Sequence, residues 1–222
     1  MEPLNAGLPG TVVDVGCAVD YRSGERMNAR ACWVLLAPAT ALAWPVEAQP
    51  AAPAQAQSAL ERGFEGALRG CEEWVLRPAS WSQGFDQFVA VVGLGDSMGL
   101  VDRVDQANLP PEQFRIANHY WRINSTPAAG YVLVVSDRVP MCHITGGGDT
   151  DLRQVVDAVL ATSAFRGRWT QLDQSTNHDT VSTRFRNVEE PKFSVTISRA
   201  ADPGGRLDRV QVLATAIYDT GH

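Results

Sequence analysis

The residues best placed for chemistry are Gly95-Asp96-Ser97-Met98-Gly99, which match the pattern G-x-S-x-G. In a hydrolase that pattern marks a sharp strand-to-helix turn that exposes a serine nucleophile. The apolar run Phe88-Val89-Ala90-Val91-Val92 just before it has the composition of the strand such a turn needs. A serine also needs a base and an orienting carboxylate, and Asp219-Thr220-Gly221-His222 ends the chain with both. A second segment, Cys142-His143-Ile144-Thr145-Gly146-Gly147-Gly148, precedes an amphipathic stretch. Glycines entering a helix present backbone N–H groups to an anion, so Thr145, Gly146, Gly147 and Gly148 form a candidate ligand turn. The Lys-Ser/Thr ending of a phosphate loop is missing, and Asp149 and Asp151 would compete for the same amides. Cys142 and His143 are not a nucleophile–base pair, because neighbours on a strand point to opposite faces. His119, His143 and His178 lack ligand spacing, so no metal site and no cofactor is expected.

The Gly95-Asp96-Ser97 block together with Asp219-x-x-His222 resembles the G-D-S-type, or SGNH, lipases and esterases. That resemblance implies Ser97 as nucleophile, His222 as base and Asp219 as its orienter. The family's G-x-N-D block is absent between the two segments. A paired cysteine, the C-H-x-T-G-G-G segment and the helix after it also resemble an uncharacterised group of exported alphaproteobacterial proteins, over most of residues 58–222. That likeness implies no activity.

The elements that would position these residues start late in the chain. Met27 opens a short polar stretch with Arg30, an apolar run follows from Ala31 to Trp44, and Val46 and Ala48 are small. This is the layout of a cleavable export signal over Met27–Ala48, and the run is too short for a membrane span of about 20 residues. Residues 1–26 read as an N-terminal extension from an over-long start. Residues 49–57 contain only Gln, Ala and Pro, and are expected to be a flexible leader. Residues 58–222 are then one domain in the periplasm or outside the cell. Of the four cysteines only Cys71 and Cys142 lie in that domain, and in an oxidising compartment the simplest reading is a disulfide; two separate buried thiols are the alternative.

Ser58-x-x-Glu61 is a capping box, and Leu60, Phe64, Ala67, Leu68, Cys71 and Val75 follow at helical spacing. Pro78 stops that helix. Ser80–Gln83 repeats the cap signature, and Trp81, Phe85, Phe88, Val89 and Val92 mark a second helix. His119–Ile123, Tyr131–Val135 and Val139–Ile144 read as strands. A helix capped by Asp149 or Thr150 buries Leu152, Val155, Val156, Val159 and Leu160. Trp169–Ser175, Thr180–Arg186, Phe193–Arg199 and Arg209–Tyr218 alternate with period two, which predicts a four-stranded antiparallel meander. The expected fold is α+β, with helices on one face of a mostly antiparallel sheet.

The formal charge of −6 argues against nucleic-acid binding, and no span follows the export signal. The expected function is a noncatalytic, exported domain that binds a small molecule or a protein, with a secreted serine esterase using Ser97 as the alternative.

Overall fold

A computed structural model describes residues 52–202 and 210–221. The export signal, the preceding extension and His222 lie outside the described residues. Four helices and eight strands are described: α1 (Ala52–Leu76), α2 (Asp86–Val92), β1 (Met98–Val101), β2 (Asn118–Ile123), β3 (Ala129–Ser136), β4 (Met141–Gly148), α3 (Leu152–Ala161), α4 (Ser163–Arg168), β5 (Trp169–Asn177), β6 (Thr180–Asn187), β7 (Phe193–Ala200) and β8 (Val212–Tyr218). Among the described residues no helix is long and apolar enough to cross a membrane.

The strands form one antiparallel sheet in the order β1-β2-β3-β4-β8-β7-β6-β5. It consists of two four-stranded meanders. Each is joined by short-range pairing, and β4 and β8 seam them together at the centre. The chain leaves central β4, crosses through α3 and α4, and re-enters at the far edge as β5. The fold is thus the α+β arrangement expected, including the C-terminal meander.

α1 is the spine of the helix layer. Its apolar stripe of Leu60, Phe64, Ala67, Leu68, Cys71 and Trp74 is buried against the face of the sheet that carries Tyr131, Leu133 and Ile144. A Cβ on Gly70 would stand 2.9 Å from a Leu133 methyl and 3.2 Å from Val92, so glycine lets the helix backbone come down onto the sheet. Cys71 and Cys142 form a disulfide with a Cα–Cα distance of 5.5 Å, which fastens α1 to the central strand. Trp74 adds a hydrogen bond from Nε1 to the Ser136 carbonyl (3.1 Å) and stacks on Trp81 at 4.3 Å between ring centroids.

Several boundaries differ from expectation: the second helix starts at Asp86 without a side-chain cap, not from Ser80–Gln83, and the strand expected over Val139–Ile144 runs Met141–Gly148. α1 begins at Ala52, so residues 52–57 are helical and not a flexible leader. Alanine is the best helix former, and once the Leu60–Trp74 stripe is docked, extending the helix upstream needs no new nucleus. Ser58 accordingly sits inside α1, where its Oγ accepts from Arg62 (2.6 Å) instead of capping. α3 is capped by Asp151, whose side chain accepts from the Arg153 N–H, and not by Asp149 or Thr150.

The opposite face of the sheet is covered only in part. Residues 102–117 form a strap over it, held by Thr145 Oγ1 donating to Asn108 Oδ1 (2.6 Å) and Ser136 Oγ donating to the Ile116 carbonyl (2.6 Å). Val134, Met141, His143 and Thr145 are buried on that face.

Candidate functional site

The serine motif is not assembled into a triad. Ser97 lies in a 3-10 turn between α2 and β1, so the chain runs helix to strand, the reverse of a nucleophile elbow. Residues 88–92, the candidate elbow strand, belong to α2. Met98 is level with Ile123, Tyr131, Gly146 and Val212 through successive strand pairs. Asp219 follows Tyr218 at the other end of β8, seven residues beyond Val212 and four strands over. That separates it from Ser97 by roughly 20 Å across the sheet and roughly 20 Å along it. Asp219 Oδ1 accepts from the Gly221 N–H instead (2.8 Å). Folded protein is expected to resist labelling by a fluorophosphonate probe; labelling that disappears in Ser97→Ala would restore the hydrolase reading.

Thr145, Gly146, Gly147 and Gly148 are not a strand-to-helix turn. They are the last residues of β4, paired with Val132, Tyr131, Gly130 and Ala129 of β3. A Cβ on Gly146 would meet the Tyr131 ring at 2.8 Å and a Leu152 methyl at 2.9 Å, so close packing accounts for this glycine. The amides offered to an anion at the start of α3 are already engaged. The Leu152 N–H donates to Gln211 Oε1 (2.8 Å) and the Arg153 N–H to Asp151 Oδ1 (2.9 Å). Gln211 also donates Nε2 to the carbonyls of Gly148 and Thr150 (2.9 and 2.8 Å). One buried carboxamide thus plugs the turn that the sequence offered. Thr145 and Gly147 do line a shallow hollow of about 360 Å³ on the strap side, together with Asn108, Arg122 and Thr126. The Thr145 hydroxyl there is committed to Asn108.

The three described histidines are dispersed, and no group of three or more His, Cys, Asp and Glu converges among the described residues. His119 Nε2 meets Asp137 Oδ2 (2.9 Å) against Trp74 and Phe85. His178 turns the β5–β6 hairpin with φ 51°. His143 is 1 % exposed, its Nδ1 2.9 Å from Thr215 Oγ1 and its Nε2 without a hydrogen-bond partner. Burial pulls its pKa down to about 4.

A cleft of about 440 Å³ opens on the helix side, between α3–α4 and strands β5–β7. That volume falls in the range of small-molecule sites, about 300–1,000 Å³. Its construction begins at Thr162, which is extended (φ −65°, ψ 148°) and breaks α3 from α4. Thr162 Oγ1 caps the new helix by accepting from the Phe165 N–H (3.1 Å). The kink turns Phe165 into the core and leaves Arg166 exposed at the rim. Trp169 follows, and its indole is anchored by Nε1 donating to Glu72 Oε1 (3.1 Å). Arg168 pairs with the same carboxylate (3.1 Å). Burial raises the Glu72 pKa, with Arg168 opposing it.

The floor is aromatic. Phe165 lies 6.2 Å from Trp169, nearly parallel, and 5.0 Å from Phe185, edge-on. One wall is a polar chain. Arg199 Nε meets Asp157 Oδ1 (2.7 Å), Arg199 Nη1 donates to Thr183 Oγ1 (3.3 Å), and Thr183 Oγ1 donates to Gln174 Oε1 (3.3 Å).

The other wall depends on a β-bulge between Gln171 and Asp173. Strict alternation would send residues 169, 171, 173 and 175 to one face. The extra residue, Leu172, shifts the phase, so Gln171 pairs with Phe185 and Gln174 with Thr183, and both carboxamides face the cleft. Bulges commonly re-aim side chains at edges and next to sites.

Sequence reasoning marked Trp169 as the start of a strand but missed the cleft. The signal available was the broken alternation in Trp169-Thr170-Gln171-Leu172-Asp173-Gln174, which puts leucine out of phase with tryptophan.

No protein-family model, curated protein or solved structure matches this chain.

Proposed function

We propose that this chain is an exported, noncatalytic binding domain that holds a small molecule in the cleft between α3–α4 and β5–β7. One observation carries the reading: polar side chains on two walls converge over an aromatic floor in a cavity of ligand size, the usual composition of a binding site. The cleft is built from regular elements, three paired strands and two capped helices, so it is preorganised and needs little ordering on binding. The disulfide supports export, since such bonds persist in oxidising compartments. The signal-like segment Met27–Ala48 supports it independently.

Native mass spectrometry of the protein, expressed from its whole reading frame in a bacterium with a periplasm, tests both halves. The expected product starts near Gln49, carries the two-proton mass deficit of the oxidised pair, and retains a bound small molecule in part of the population. A full-length, reduced chain in the cytoplasm would overturn export. A turnover activity that depends on a single side chain would overturn the noncatalytic reading.

A further inference from the structure

We infer that the ligand of this cleft is an amphipathic anion, an aromatic ring system bearing a carboxylate or sulfonate, and that Arg166 holds its charged group. The inference rests on the binding reading above and adds the ligand's chemistry to it.

The hydrogen-bonding capacity left over in the cleft leans to donors, with the Gln171 carbonyl and Asp157 Oδ2 as the remaining side-chain acceptors. Arg166 makes no side-chain hydrogen bond or ion pair among the described residues, so its guanidinium stands at the rim with its N–H groups unspent. Gln174 uses its carbonyl oxygen on Thr183, which leaves its NH₂ to face the cavity. Arg199 uses Nε and Nη1 and keeps Nη2. Gln171 contributes a further carboxamide. Among the lining residues two guanidinium groups stand against one carboxylate, Asp157, which is already paired with Arg199. This is a locally positive, donor-rich cavity in a chain of formal charge −6.

A ligand matching it is rich in acceptors and carries negative charge, since Arg recognises carboxylate-like groups through paired N–H donors. The floor sets the other half of the ligand. Phe165, Trp169 and Phe185 are each buried and ring-packed, with no hydrogen-bonding group of their own at the bottom other than the indole N–H, which Glu72 takes. The deep part of the ligand is therefore apolar and flat, and its charge points outward toward α4.

The experiment uses the purified, oxidised protein and two fluorescent probes of one shape. Anilinonaphthalene sulfonate carries the anion; phenylnaphthylamine is its uncharged counterpart. Binding is read as saturable probe fluorescence excited by energy transfer from tryptophan. The sulfonate is expected to bind at least about tenfold more tightly, and Arg166→Gln to weaken it about tenfold while leaving the neutral probe unchanged, the size of one charged hydrogen-bonded contact. Gln171→Trp, at an exposed position lining the cleft, is expected to abolish both.

Equal affinity for the two probes, or no effect of Arg166→Gln, would overturn the anion inference and leave the binding reading intact. Saturable binding that survives Gln171→Trp would overturn the location. Absence of saturable binding by either probe would overturn the binding reading with it.

Discussion

Replacing Cys71 and Cys142 with alanine, or reducing the bond between them, is expected to destabilise the protein by about 4 kcal/mol. The disulfide joins residues 71 positions apart in sequence. In the chain-entropy account, opening a loop of that length returns about 4 kcal/mol of conformational freedom to the unfolded chain. For a domain of this size 1 kcal/mol moves the melting temperature by about 2–4 °C, so the midpoint should fall by about 8–16 °C. Both sulfurs belong to residues with 1 % exposure or less. Mild reductant should therefore leave the folded protein unchanged and act only as it unfolds. Thermal unfolding with and without reductant, followed by circular dichroism, reads the shift. An unchanged midpoint would show that the helix–strand seam holds by packing alone.

Acid is expected to weaken the fold through His143, by about 3 kcal/mol between pH 7 and pH 4. His143 lies beneath the strap of residues 102–117, in the row that runs Tyr120, Val134, His143, Thr215, Thr196 across five strands. Its Nδ1 has Thr215, while the imidazolium carries an N–H on both nitrogens and Nε2 faces no acceptor. The charged form would thus be both desolvated and short of a hydrogen bond.

The folded pKa lies near 4, below the ordinary 6.5. Above pH 6.5 both folded and unfolded chains hold His143 neutral, and it makes no difference to stability. As pH falls below 6.5 the unfolded chain takes up a proton that the folded one refuses, so stability declines, levelling off below the folded pKa. His143→Gln should remove this part of the decline while other acid-sensitive groups keep theirs. Urea unfolding of both proteins at pH 7 and pH 4 measures the difference. Parallel losses in the two proteins would show that His143 is not a source of acid sensitivity.

The two residues come from one segment, Cys142-His143, and face opposite sides of the sheet. The cysteine ties the helix layer down, and the histidine is sealed under the strap. Strand alternation alone separates these roles, and it is the reason the pair cannot act together as nucleophile and base.

Much of the architecture was determined by the sequence itself. Period-two alternation marked β7 and β8, because each keeps one face mostly apolar, and polar alternation between short turns marked β5 and β6. Helical spacing marked the buried stripe of α1, and the even pair of cysteines marked the disulfide. All of these follow from local periodicity or from redox chemistry, which need no knowledge of what lies across the fold.

Only the tertiary structure decided the rest. The letters of G-x-S-x-G and D-x-x-H specify residue types but not distance, and the sheet order puts Ser97 beside an edge strand and Asp219 at the far end of a central one. The glycines after Thr145 looked like a loop because glycine disfavours strands. They became strand because Tyr131 and Leu152 leave room for nothing larger at Gly146, and Gln211, sixty-odd residues on, consumes the amides at the start of α3. The α3–α4 cleft owes its walls to one inserted residue at Leu172 and its floor to rings from α4, β5 and β6. No short stretch contains it, since a cavity is a property of surfaces that meet only after the far edge of the sheet has been laid beside the crossover helices.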